Sequence, residues 1–287
     1  MGLAQLRQEY HTHICADIIR TQWDAKKQVE YPNFADGSNR ASVVIAASIT
    51  RQLGCALNRH SLTGQTTGGL FEKLTRDFLE KAFGLLRHLR PGRWVYSTSL
   101  PISHFDQYSH LAELQGIVQE NRQLAAALGT DYIITPDIVI GRWPVTDEEV
   151  NQDLAVIEPD APIARLTPFR ALEARSACAI LHASISCKWT IRSDRSQNAR
   201  TEALNLIRNR KGRLPHILAV TAEPLPTRIA SLALGTGDLD CVYHFALYEL
   251  EQAIKEADNE DQMDMLQTLI QGRRLRDISD LPFDLAA

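Results

Sequence analysis

The fold of this chain is decided by the stretch Ser184-Ile185-Ser186-Cys187-Lys188-Trp189-Thr190-Ile191-Arg192-Ser193-Asp194-Arg195. Its first half predicts a short β-strand, on which Ser186 and Lys188 share one face while the apolar residues take the other. A lysine held against a sheet needs a partner, because a buried charge is costly unless it is paired. The polar cluster that follows, from Arg192 to Arg195, has the donor and acceptor types that read G and C edges in DNA.

The candidate partner for this lysine is Asp137, which follows Pro136 in the predicted strand 132–140. If the two strands are adjacent, the Asp137 carboxylate and the Lys188 ammonium meet at an edge of the sheet. This is the arrangement of the PD-(D/E)xK nucleases, whose carboxylates hold Mg²⁺ and whose lysine orients or activates water for attack on a phosphodiester. The alternative is an Asp–Lys ion pair that only stabilises the sheet.

The nuclease pattern lacks one acid, because Ser186 stands two residues before Lys188, where a carboxylate is usual. Glu202, in the predicted helix 196–210, could reach back to the same site. Glu72, just inside the helix predicted from Leu70 to Leu89, is a further candidate. For each glutamate the alternative is a position on a solvated helix surface.

The arginine and aspartate cluster allows a count of base contacts. A guanine is best read by a bidentate arginine, and a cytosine by a carboxylate. Arg192, Asp194 and Arg195 thus match two adjacent G·C pairs, which a two-fold dimer doubles to a palindrome of four, CCGG or GGCC. The alternative is an ordinary helix start with Asp194 as its N-cap. Gln65, in the predicted loop 64–69, carries an amide that could also enter a DNA groove.

The bulk composition excludes several classes of protein. The chain has 287 residues, a net charge of −4 and a pI near 6.1, which argues against a protein that coats nucleic acid non-specifically. No segment is apolar enough to span a membrane and the N-terminus is unlike a signal peptide, so we expect a cytoplasmic protein. The five cysteines suit reduced thiols because their number is odd. We expect His11 and His13 at the surface.

The hydrophobic pattern predicts an α/β domain with a central sheet covered by helices. The predicted helices cover 2–28, 42–57, 70–89, 110–128, 196–210, a segment that ends near Ala257, and 261–270. The predicted strands cover 132–140, 181–191, 215–222 and 241–243. Residues 144–178 are expected to mix loops and short helices.

Beyond these patterns, the chain closely resembles the NgoMIV-type restriction endonucleases. The strongest block runs from His182 to Arg195 and continues through residues 205–216. Further matches are Asp36-Gly37-Ser38-Asn39, Gly64-Gln65-Thr66, Phe71-Glu72, Thr135-Pro136-Asp137-Ile138, Asp240-Cys241-Val242-Tyr243-His244-Phe245 and Asp277-Ile278-Ser279-Asp280-Leu281-Pro282. The similarity covers nearly the whole chain. It implies that residues 1–287 form a single domain with an α/β restriction-endonuclease-like fold, a central mixed β-sheet flanked by helices.

The resemblance implies a type II enzyme that uses Mg²⁺ and cuts double-stranded DNA at GCCGGC, before the first C, leaving 5′-CCGG overhangs. The residues that match the family's active site are Glu72, Asp137, Ser186, Cys187, Lys188 and Glu202. By the same resemblance, Asp137 and the backbone carbonyl of Cys187 would bind the metal, and Glu72 and Glu202 would act on it through water. A displaced glutamate is a known variation in the family, which accounts for Ser186.

The resemblance also implies the DNA contacts and the partners. The matching base readers are Arg192, Asp194 and Arg195 for the central CCGG, and Asp36, Ser38 and Arg228 for the outer G·C pairs. Gln65 would enter the minor groove. Family members of this type assemble as homotetramers, each a dimer of dimers, and a cognate DNA methyltransferase would be the functional partner.

Three other functions compete with this interpretation. A structure-specific repair or junction nuclease of the same fold gives no reason for the Arg-Asp-Arg cluster. A non-catalytic sequence-specific DNA-binding protein would not need the set Asp137, Lys188 and Glu202. A structural protein with a buried ion pair would tolerate Arg192→Ala without losing any affinity for DNA.

Overall fold

A mixed sheet of six strands lies at the centre of the protein in the computed structural model. The structure describes residues 2–25, 28–56, 58–121, 123, 126, 133–158, 161–172, 178–191, 193–235 and 237–287, and of 193–196 only the backbone. In chain order the strands are β1 (Thr21–Asp24), β2 (Val29–Pro32), β3 (Trp94–Ser97), β4 (Ile138–Arg142), β5 (Ile180–Lys188), β6 (His216–Thr221), β7 (Cys241–His244) and β8 (Leu275–Asp277). Strands β3 to β8 lie side by side in that order, whereas β1 and β2 form a separate pair.

The strand directions divide the central sheet into two parts. Strands β3, β4 and β5 are antiparallel neighbours, and β5 to β8 pair in parallel. In β5 the five consecutive residues from Ala183 to Cys187 are buried, which shows that both faces of this strand are covered, because neighbouring side chains point to opposite faces. This confirms the α/β class and the mixed sheet between helices.

Helices surround the sheet, and among the described residues they are α1 (Leu3–His13), α2 (Arg40–Gln52), α3 (Gly64–Gly84), α4 (His110–Glu120), α5 (Asp147–Val150), α6 (Ser193–Asn209), α7 (Pro226–Ala233), α8 (Leu247–Glu256), α9 (Glu260–Gln271) and α10 (Leu281–Ala286). None of the helices in this described part of the chain has the length and apolar character needed to cross a membrane.

The N-terminal segment differs from the continuous helix 2–28 that the sequence predicts. Helix α1 ends at His13, and a π-helical turn, Ile14–Ile18, leads into β1. The side chain of Asn33 holds this exit, because its Nδ2 donates to the carbonyl of Ile18 at 2.9 Å and its Oδ1 accepts from the amide of Arg20 at 3.2 Å. The helical pattern therefore ends where the side chain of Asn33 forms hydrogen bonds with backbone groups that would otherwise continue the helix.

The sequence suggested a surface position for His11, and this expectation is wrong. Its side chain is buried, and its Nε2 forms a hydrogen bond with the carbonyl oxygen of Phe245 at 2.8 Å. Burial lowers the pKa of His11 below its usual value. The expectation holds for His13, whose side chain is 60% exposed.

The expectation of reduced thiols is also wrong for two of the cysteines. Cys15 and Cys55 form a disulfide with their Cα atoms 4.9 Å apart, and it ties the π-helical turn to the segment that follows α2. Cys178, Cys187 and Cys241 are free. The pair is separated by 40 positions in sequence, so no spacing rule could have identified it.

Helix α3 begins at Gly64, where the sequence predicts a loop that lasts until Gly69. Its start is capped by Thr63, whose hydroxyl accepts a hydrogen bond from the amide of Thr66 at 3.1 Å. The additional turn places Gln65, which is exposed, on the same helix as Glu72.

Candidate active site

Asp137 and Lys188 meet where two neighbouring strands of the sheet lie side by side. Asp137 directly precedes β4, whose first residue Ile138 pairs with Ile185 in β5, so that Asp137 lies beside the last residues of β5. Lys188 is the final residue of that strand, and its Nζ donates to Oδ2 of Asp137 at 2.9 Å. The side chains are only 15% and 22% exposed. The structure thus brings together the two residues that the sequence pattern paired.

Asp137 accepts two further hydrogen bonds from the same strand. The amide of Cys187 donates at 2.7 Å, and the hydroxyl of Ser186 lies at 3.4 Å. All three donors reach Oδ2, so these bonds leave Oδ1 of the carboxylate to other partners. Ser186, which stands where an acid is usual, therefore contributes a donor to Asp137.

Glu72 on α3 and Glu202 on α6 both lie within electrostatic reach of this pair. Burial raises the pKa of Glu72, and the negative charge of Asp137 adds to the effect, while Lys188 opposes it. Burial also raises the pKa of Glu202, with Lys188 lowering it and Asp137 raising it. For Lys188, burial lowers the pKa, but Asp137 and then Glu202 outweigh burial and leave the pKa raised. Three carboxyl groups therefore interact electrostatically with one ammonium, which is an excess of acidic groups.

This excess suits a hard divalent cation. Within the described residues, no three His, Cys, Asp or Glu side chains converge closely enough to hold an ion by themselves. Mg²⁺ does not require such a cage, because it keeps several waters and is usually bound by one or two carboxylates together with substrate phosphates. The three hydrogen bonds to Asp137 all involve Oδ2 and leave Oδ1 out. The oxygen atoms of this carboxylate and of the two glutamates fit that mode of binding.

An aromatic cluster fixes the position of these elements. Trp189, the residue after Lys188, packs against Phe71 of α3 with ring centroids 5.1 Å apart, and against Phe34 at 5.6 Å. All three rings are buried. Because Glu72 follows Phe71 directly, the contact between Phe71 and Trp189 holds the Glu72 backbone close to the end of β5.

Asp36, Ser38 and Arg228 come together although 192 positions separate Asp36 from Arg228 in sequence. The Ser38 hydroxyl donates to Oδ1 of Asp36 at 2.6 Å, and Nη2 of Arg228 donates to Oδ2. The bond from Ser38, followed by that from Arg228, lowers the pKa of Asp36 to about 2. Asp36 and Arg228 line a cleft of about 670 Å³, to which α6 contributes Gln197 and Arg200.

The other residues predicted to contact DNA are only partly described. Arg192 lies outside the described residues, and Asp194 and Arg195 lie in the first turn of α6, where the side chains are also outside the description. Gln65 is exposed in the first turn of α3. The contacts of these four residues with DNA therefore stay predictions.

Sequence reasoning missed Glu223, which is buried at the end of β6 and is 1% exposed. It accepts hydrogen bonds from the amide of Ile191 at 2.9 Å and from the amide of Leu225 at 3.3 Å. Burial raises the pKa of Glu223 to about 7, although these bonds and the nearby Arg228 oppose the shift. The available signal was the one that identified Asp137, an acid next to a strongly apolar run of residues.

The sequence of this chain is similar to a known family and to a curated protein. The family described as NgoMIV restriction enzyme matches residues 10–287. Among curated proteins, the type II restriction enzyme NgoMIV of Neisseria gonorrhoeae is 51% identical over 257 residues, which cover 88% of this chain and 88% of that protein. Among solved structures, a complex of the restriction endonuclease PspGI with substrate DNA aligns over 99% of this chain and 92% of that chain, with 15% identity and a TM-score of 0.30.

Proposed function

Because the chain belongs to the NgoMIV restriction enzyme family, we propose that it is a Mg²⁺-dependent type II restriction endonuclease that cuts double-stranded DNA at GCCGGC. Cleavage falls before the first C and leaves 5′-CCGG overhangs. The observation that carries the proposal is the contact between Asp137 and Lys188 at the end of β5. Glu72 and Glu202 are close enough for this pair to change their pKa values.

Each side chain of the site has a distinct part in this proposal. Oδ1 of Asp137 and the backbone carbonyl of Cys187 would hold the metal, and Glu72 and Glu202 would act on it through water. Bound Mg²⁺ would supply a Lewis acid for the phosphodiester. Lys188 orients the attacking water and stabilises negative charge on the phosphate, since its ammonium is fixed by Asp137 before DNA arrives. Ser186 keeps the Asp137 carboxylate in place through Oδ2.

Sequence specificity in the proposal comes from two groups of residues. The central CCGG is read by Arg192, Asp194 and Arg195, with the arginines on guanine and the aspartate on cytosine. The outer G·C pair is read by the second group, Asp36, Ser38 and Arg228. Support for the second group is that its members already form one hydrogen-bonded set, of which Asp36 and Arg228 line a cleft, so few side-chain rotations remain to be lost on binding. Gln65 enters the minor groove.

The proposal extends to the assembly and its setting. Residues 1–287 act as one domain, and the chains assemble in the cytoplasm as a homotetramer, a dimer of dimers. The proposed palindrome supports a two-fold pair of chains, because it presents the same bases to two identical reading surfaces. A DNA methyltransferase that modifies the same sequence is the expected functional partner.

The proposal is tested with plasmids that differ only in one GCCGGC site. With Mg²⁺, the protein should cut the plasmid that carries the site, and the sequenced ends should show 5′-CCGG overhangs. Lys188→Ala should abolish cleavage and retain specific binding in Ca²⁺, whereas Lys255→Ala, which removes an exposed lysine from α8, should leave both unchanged. Equal cutting of both plasmids would overturn the restriction enzyme, and selective cutting of branched DNA would replace it with a structure-specific nuclease.

A further inference from the structure

Glu223 has contacts that connect three parts of the proposed machinery. Its Oε2 accepts from the amide of Ile191 at 2.9 Å, and Ile191 immediately precedes Arg192, the first of the proposed central base readers. Its Oε1 lies 3.9 Å from Nη1 of Arg228. A single buried carboxylate therefore faces both the segment that leads to the central readers and the arginine proposed for the outer pair.

The backbone of Glu223 is joined to the catalytic strand as well. The Glu223 amide donates to the hydroxyl of Thr221 at 3.1 Å, and that hydroxyl donates to the carbonyl of Lys188 at 2.7 Å. Thr221 and Lys188 are also paired in register between β6 and β5. The chain of contacts from Lys188 to Arg228 thus contains only Thr221 and Glu223.

Arg228 is held between two carboxylates of different kinds. Asp36, which is half-buried at the cleft, accepts a hydrogen bond from Nη2, while Glu223 lies on the Nη1 side and is fully buried. Asp36 lies in the loop between β2 and α2. Glu223 is held by the amides of Ile191 and Leu225, just past the end of β6.

We propose that Glu223 is a positioning residue for sequence specificity, which holds Arg228 in a fixed place relative to Lys188 at the end of β5. The inference rests on the proposed function and adds to it a residue that touches neither the bases nor the phosphate. Recognition of the outer base pair then depends on a carboxylate behind the reading surface, and the same carboxylate keeps that surface in register with the site of cleavage.

The test is a double-mutant cycle between Glu223→Gln and Arg228→Ala. Single-turnover cleavage in Mg²⁺ is measured on matched duplexes that contain GCCGGC or ACCGGT, which differ only in the outer pair. Glu223→Gln should lower the preference for GCCGGC about tenfold, within the range that one base pair contributes. In the Arg228→Ala background it should have no further effect on this preference, because the residue acts through Arg228.

Several results would overturn the inference. These are an unchanged preference in Glu223→Gln, or the same fold loss in both backgrounds, which would indicate a purely structural residue. Glu249→Gln is the matched control, because Glu249 is a partly buried carboxylate bonded to Arg7 on α1. An equal loss of preference in this control would assign the effect to lowered stability and would also overturn the inference.

Two further arrangements keep the outcome decisive. If Glu223→Gln does not fold, Glu223→Asp keeps the charge but is one methylene too short to reach Ile191 and Arg228 together, and it should give the same loss of outer-pair preference. Wild-type protein without preference for GCCGGC would overturn the proposed function and this inference together. A wild-type preference that neither Glu223 variant changes would overturn this inference alone.

Discussion

Replacing Lys188 by methionine should destabilise the folded protein, whereas replacing its partner Asp137 by asparagine should not. The carboxyl groups of Glu72, Asp137 and Glu202 all interact electrostatically with the one ammonium of Lys188. Lys188→Met leaves the carboxylates without a counter-charge in a partly buried place. Asp137→Asn removes one of the repelling charges and leaves Lys188 beside two glutamates. The two substitutions break the same ion pair but have opposite electrostatic consequences.

The size of the effect follows from the geometry. Unit charges 2.9 Å apart attract each other by about 6 kcal/mol at an effective dielectric constant of about 20. Much of this attraction is offset by the desolvation of both groups, and Asp137 keeps its bonds from Cys187 and Ser186. Because both side chains retain some exposure, we expect Lys188→Met to cost about 2 kcal/mol, below the roughly 3–5 kcal/mol of a fully buried pair. Asp137→Asn should leave the stability equal or higher.

The assay is urea unfolding at neutral pH without divalent cations, followed by the same measurement in Ca²⁺. The cation should stabilise Lys188→Met more than the wild type, since it supplies the missing positive charge. Lys255→Met is the matched control, because Lys255 forms an exposed pair with Glu251 whose loss should cost less than about 1 kcal/mol. The reasoning would be refuted by a Lys188→Met variant as stable as the wild type, or by an Asp137→Asn variant that is equally destabilised.

Other perturbations have equally definite outcomes. Arg228→Ala should lose roughly 1–3 kcal/mol of discrimination at the outer pair in Ca²⁺ binding assays, and unchanged discrimination would remove it from the readers. Burial lowers the pKa of His182 to about 3 and that of His244 to about 4. Below about pH 6.5 the unfolded chain therefore takes up protons that the folded chain does not, and stability should fall as the pH drops toward 4; a flat urea midpoint between pH 7 and 5 would contradict this. Cys15→Ser with Cys55→Ser should lose roughly 4 kcal/mol, the value for a loop of about 40 residues, and an unchanged urea midpoint would deny the disulfide a stabilising role.

The pairing of Asp137 with Lys188 could be predicted because both signals are local. Each residue is the charged member of a predicted apolar strand, and a buried charge demands a partner of opposite sign. The assignments of Glu72 and Glu202 to the same site needed further information, since the sequence of a helix does not show whether a given glutamate faces solvent or a sheet. There the family resemblance supplied what periodicity could not. Both glutamates interact electrostatically with the Asp137–Lys188 pair, and their roles stay predictions.

The errors concern residues whose partners are remote in sequence. His11 has as its partner a backbone carbonyl 234 positions away, and the helix 2–28 ends early because Asn33 bonds to the backbone before β1. The disulfide between Cys15 and Cys55 has the same origin. Glu223 escaped notice for a different reason. It lies just beyond the last residue of β6, in a segment that contains no recognisable chemical motif.

Helix α3 has a further consequence for how this protein can vary. Gln65 and Glu72 are seven residues apart on it, so they lie about 10 Å apart along the axis and within about 20° of the same direction. A single inserted residue between them would rotate one against the other by about 100°. Substitutions in this segment can therefore be tolerated where a change of length cannot. The separation between Gln65, the proposed groove contact, and the Glu72 carboxylate therefore has to stay the same when the sequence of this protein changes.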